Sequence, residues 1–105
     1  MVVKSSERHK RGFSGVEFFV GAIGEKMMII YVPFMKGREV VAHSHPHEQA
    51  GYCLQGHLSI TIDGVLHEIE PHDSYVIPGG ASHSFRALED SILVEMFSPP
   101  REEYR

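Results

Sequence analysis

Apolar and polar residues alternate along much of this chain. Leu58, Ile60 and Ile62 alternate with Ser59 and Thr61, and Asp63-Gly64 follows at once. Alternation with period two marks a strand with one buried face, and Asp-Gly is a strong hairpin signal. Residues 65–69 then return as the partner strand. Residues 27–32 form an apolar, partly β-branched run before Pro33. Residues 49–54, 74–77, 84–87 and 92–97 have the same strand character, punctuated by Pro71-His72-Asp73 and Pro78-Gly79-Gly80. Pro99-Pro100 ends the last strand, because proline cannot donate to a ladder. No segment carries a helical stripe. Many short strands with evenly spaced turns predict an all-β sandwich, barrel or jelly roll.

The chain has 105 residues, the size of one domain with one core. Residues 1–12 read as a polar N-terminal arm. Hydrophobic residues make up 42% and charged residues 23%, values of an ordinary globular domain. The formal charge of −4 gives no electrostatic support for nucleic-acid binding. The one basic cluster, Arg8 to Arg11, reads as a solvated end. No run is long enough to span a bilayer, and the N-terminus shows no apolar leader. The single cysteine, Cys53, lies in a strand-like run and reads as a buried, inert thiol. These features lead us to expect a cytoplasmic protein.

Histidine changes the picture, with eight in the chain. His43 and His45 are two residues apart in an expected strand, so both should point to one face. Neutral imidazole is the commonest protein metal ligand. Gln49 opens the next strand and His83 follows the Pro78-Gly79-Gly80 turn. Glu48 competes with Gln49 as an oxygen ligand, and strand parity allows only one of them to face inward. His47 reads as a loop or interface residue. His9, His57, His67 and His72 read as surface or packing positions.

The spacing Gly37, five residues, His43, one, His45, three, Gln49, six, Gly56 resembles the first motif of the cupin family. Glutamate commonly stands where this chain has Gln49. Pro78, Gly80 and His83 resemble the second motif, with departures at His72 and Ala87. The resemblance implies a cupin-type double-stranded β-helix, or jelly-roll barrel. It implies one divalent metal ion held by His43, His45, Gln49 and His83. Zinc, nickel, iron, manganese and copper all suit such a set. It also implies a homodimer, which would cover exposed strand edges.

The tail carries a second signature. Glu95 and Phe97 share strand parity, and Arg101 follows a Pro-Pro turn that could fold it back. With His43-Ser44-His45-Pro46-His47-Glu48-Gln49, this tail resembles the small cupins of pectin and alginate breakdown that open the ring of unsaturated uronates. There the tail carboxylate is usually aspartate, followed by the aromatic and the arginine. Carried over, those roles fall on Glu95, Phe97 and Arg101, with an anionic sugar-like small molecule as ligand. A plain structural reading also stands, with Phe97 in the core and Glu95 paired to Arg101. Two other functions fit the family resemblance: a metal-dependent dioxygenase of a small organic substrate, and a non-catalytic small-ligand binder.

Overall fold

The computed structural model describes all of residues 1–105. Ten strands follow in order: β1 (His9–Phe13), β2 (Val16–Ile23), β3 (Met28–Phe34), β4 (Glu39–His43), β5 (Glu48–Gln55), β6 (Leu58–Ile62), β7 (Val65–Ile69), β8 (Ser74–Ile77), β9 (His83–Ala87) and β10 (Ser91–Ser98). They form two antiparallel sheets. One has six strands in the order β1-β2-β3-β10-β5-β8, and the other has four in the order β4-β9-β6-β7. This is the all-β jelly-roll architecture expected from the strand and turn pattern. No helix is long and apolar enough to cross a membrane.

Both sheets contribute to one core. Val16, Phe18 and Val20 of β2 meet Met28, Ile30, Val32 and Phe34 of β3, with Leu58 and Ile60 of β6 and Phe85 of β9 in the same cluster. The strands do this because their apolar residues recur every second position, so one face of each is buried. On β10 the inward row reads Ser91, Leu93, Glu95 and Phe97, all buried. A carboxylate therefore interrupts an otherwise apolar stretch of that row. Burying one is costly unless it finds partners.

Three expectations need adjusting. The arm over residues 1–12 is strand from His9 onward, and β1 pairs with β2 from His9↔Val20 to Phe13↔Val16. β3 continues through Pro33, where the strand pairs with β10 and the β2 pairing has already ended at Tyr31. β4 stops at His43, so His45 is not in the same strand and lies in the following loop.

Candidate metal centre

Three imidazoles converge by two different routes. His43, the last residue of β4, stands directly opposite His83, the first of β9. His45 reaches the same place from the loop, where its carbonyl accepts the Gly80 N–H at 2.8 Å. The loop around Pro46 passes so close to Gly79 that a Cβ there would collide with the Pro46 carbonyl. That close approach explains a glycine at position 79. The ring of His83 lies 4.3 Å from that of His43 and 4.8 Å from that of His45, centroid to centroid. One nitrogen from each of the three rings falls within 4.8 Å of the others, so the group could hold a metal ion.

Hydrogen bonds at the far side of each ring fix its tautomer. Nδ1 of His43 donates to the Val41 carbonyl at 2.9 Å, that of His45 to the His47 carbonyl at 3.1 Å, and that of His83 to the Ala81 carbonyl at 2.9 Å. In the neutral ring the proton then sits on Nδ1 and the lone pair on Nε2. Burial, helped by the charge of Arg101, lowers the His45 pKa to about 4, and burial lowers that of His83 as well. Both rings are therefore neutral at neutral pH, the form that ligates a metal.

Two contacts lack a satisfactory partner in the protein. Nε2 of His83 is buried with no hydrogen bond. Nε2 of His45 lies 3.1 Å from Oε1 of Gln49, while the Gln49 amide donates through Nε2 to Oε2 of Glu95 at 2.6 Å. With Nδ1 carrying the His45 proton, two acceptors face each other. A cation among these atoms would satisfy the lone pairs of His45, Gln49 and His83 together. The donor set thus fits the metal that the motif implies. Gln49 is 3% exposed whereas Glu48 is exposed, so only Gln49 is turned toward the histidines.

The tail residues share this interior. Glu95, Phe97 and Arg101 are buried, and all three line one cavity with His43 and Gln49. The cavity opens to the surface and has a volume of about 50 Å³. Glu95 does not pair with Arg101. Its Oε2 accepts the Gln49 amide and the Tyr75 hydroxyl, the latter at 2.8 Å. Burial raises its pKa to about 6, against the pull of these two hydrogen bonds and of Arg101. Arg101 instead donates through Nε to Glu103 at 2.6 Å. Its guanidinium lies over the rings of Tyr104, Phe97 and Phe13 at 4.5, 5.4 and 5.6 Å. Aromatic faces hold a guanidinium by the attraction between cation and ring quadrupole.

Tyr75, Tyr104 and Phe13 were not among the expected site residues. The signal for Tyr75 is Gly51, opposite it in β5, whose missing side chain leaves room for the phenol. Tyr104 follows the strand-ending prolines in a short 3-10 helix, Glu102–Tyr104, and is buried. His67 and His72 are exposed as expected, while His9, His47 and His57 are partly buried.

Two antiparallel sheets sharing one core, with three imidazoles gathered inside, define a small jelly-roll barrel built around a polar centre. Residues 30–98 match the cupin domain, and the chain belongs to the cupin family. It is 29% identical over 82 residues to the pectin degradation protein KdgF of Dickeya dadantii, covering 76% of this chain and 74% of that one. It is also 29% identical over 65 residues to the L-ectoine synthase of Hahella chejuensis, of which it spans only 49%. Among solved structures, KdgF from a Halomonas species superposes with a TM-score of 0.90 at 28% identity, over 100% of this chain and 98% of the other. An RmlC-like cupin from Shewanella frigidimarina superposes equally well, with a TM-score of 0.90 at 25% identity over 99% and 95% of the two chains.

Proposed function

We propose that this cupin binds one divalent metal ion and opens the ring of an unsaturated uronate or a similar small sugar acid. The observation that carries this reading is the meeting of Glu95, Phe97 and Arg101 with His43 and Gln49 around one cavity. The likeness to KdgF proteins supports the substrate class.

His43, His45 and His83 would hold the ion through Nε2, and Gln49 through Oε1. As ligands, three imidazoles and an amide would bring no charge of their own. The bound metal would supply Lewis acidity toward a substrate oxygen, undiminished by any ligand charge. A sugar acid would extend outward past His43, the least buried of the three histidines. Arg101, with Nε already paired to Glu103, keeps its two terminal nitrogens for the substrate carboxylate, a bidentate match. Phe97 packs against the sugar face. Glu95, with a pKa near 6, is present in both protonation states around that pH and moves a proton as the ring opens. The product is an open-chain keto sugar acid.

We place the protein in the cytoplasm and read it as a homodimer, since the edge strands β7 and β8 expose Val65, Leu66 and Val76. The test of function is to determine metal content by elemental analysis and to incubate the protein with an unsaturated uronate. The ultraviolet absorbance of the conjugated double bond should fall, equally with and without oxygen. Turnover that requires oxygen would instead support the dioxygenase reading.

A further inference from the structure

Glu95 is anchored through one of its two oxygens. Oε2 accepts both the Gln49 amide at 2.6 Å and the Tyr75 hydroxyl at 2.8 Å. Oε1 takes no hydrogen bond from the protein and is not a sealed, unsatisfied atom, and Glu95 lines the cavity. The terminal torsion of a glutamate is broad, so a carboxylate held at one point pivots about that contact and swings its other oxygen. Two donors from separate places on the same oxygen remove that freedom.

The second donor arrives by an unusual route. Glu95 of β10, Gly51 of β5 and Tyr75 of β8 form one cross-strand row. Neighbouring strands lie about 4.8 Å apart, so Tyr75 and Glu95 start about 10 Å from each other. The phenol bridges this span by lying across Gly51, where a Cβ would overlap the ring. Burial holds the Tyr75 pKa well above its usual value, so the hydroxyl remains a donor.

We propose that Tyr75 is a positioning residue for Glu95, reaching it across the gap at Gly51 and leaving Oε1 as the oxygen that faces the substrate. This rests on the reading that Glu95 moves a proton during ring opening. It adds what orients the carboxylate and holds its free oxygen toward the cavity.

The test is Tyr75→Phe, which keeps the ring and removes only the hydroxyl. On an unsaturated uronate, kcat should fall about 10- to 100-fold, the scale of a small misplacement of a catalytic group. KM should stay within about twofold and metal content should not change. A second measurement does not depend on turnover. The side-chain carboxyl 13C resonance of Glu95, assigned by its disappearance in Glu95→Gln, is followed in protein stripped of metal. It should shift in Tyr75→Phe and in Gly51→Ala, and stay put in His67→Ala, a change at an exposed residue. A wild-type protein inert toward uronates would overturn the functional reading but leave this resonance to decide the anchor. A Glu95 resonance unmoved in Tyr75→Phe overturns the positioning role. One that moves in Tyr75→Phe but not in Gly51→Ala overturns the role of the gap.

Discussion

His43 and His83 stand opposite each other in the β4–β9 ladder, their ring centroids 4.3 Å apart. Backbone pairing brings the two residues together, and the hydrogen bonds from Nδ1 to the Val41 and Ala81 carbonyls orient their rings. His45, coming from a loop, completes the group without taking part in either sheet.

That difference separates metal loss from unfolding. His45→Ala should lower metal affinity more than about 100-fold, because disturbing the outer partners of ligands alone costs about 10- to 100-fold. The sheets should remain, since His45 pairs with no strand. Elemental analysis after dialysis against a chelator, alongside circular dichroism, checks both halves. Full occupancy in the variant would show that the ligand set is wrong.

Glu95→Gln should abolish turnover while keeping the metal, because the amide can still accept from Tyr75 but cannot carry the proton. It should also change how stability depends on pH. The Glu95 pKa is raised from 4.5 to about 6 on folding. The neutral acid therefore favours the folded state below pH 4.5, and that advantage disappears as pH rises through 6. Glutamine carries no such dependence. In metal-free protein the variant should gain about 2 kcal/mol relative to wild type between pH 4 and pH 7. Urea unfolding at the two pH values measures this, and a constant difference would refute the burial of an ionising Glu95.

Arg101→Lys retains the charge and loses the planar fork. KM for a uronate should rise about tenfold or more, corresponding to one charge-assisted hydrogen bond of about 1.5–3 kcal/mol. kcat should change little, because the carboxylate is gripped in the ground state and in the transition state alike. The contacts with Tyr104, Phe97 and Phe13 predict a modest loss of melting temperature as well. Unchanged KM would remove Arg101 from the binding site.

Sedimentation at micromolar concentration should show a dimer. Leu66→Glu, at an exposed position of the edge strand β7, should shift it toward monomer. A wild-type monomer would end the homodimer reading.

The legible parts of this fold are those where local chemistry and burial agree. β6 and β7 were evident from the alternation of Leu58, Ile60 and Ile62 and from Asp63-Gly64, and their register follows that turn. β2 was obscured because Phe18, Phe19 and Val20 are all apolar, which erases the period. Phe19 lies on the outward row, where Arg8 covers it 4.9 Å from the ring centre. In β1, Lys10 and Arg11 put charge on both parities. The histidines could be picked out because their spacing is local in each motif. Tyr75 could not, because its link to Glu95 spans three strands and exists only once β10, β5 and β8 are in register.

β10 follows the other nine strands along the chain, yet it lies inside the six-stranded sheet between β3 and β5. On the ribosome, β1-β2-β3 and β5-β8 can each begin to pair, but nothing joins them until residue 98 has left the exit tunnel. The same strand delivers Glu95 and Phe97. A truncated nascent chain therefore has neither a joined sheet nor a complete pocket, and it exposes two unpaired strand edges meanwhile. Such edges favour association with other chains.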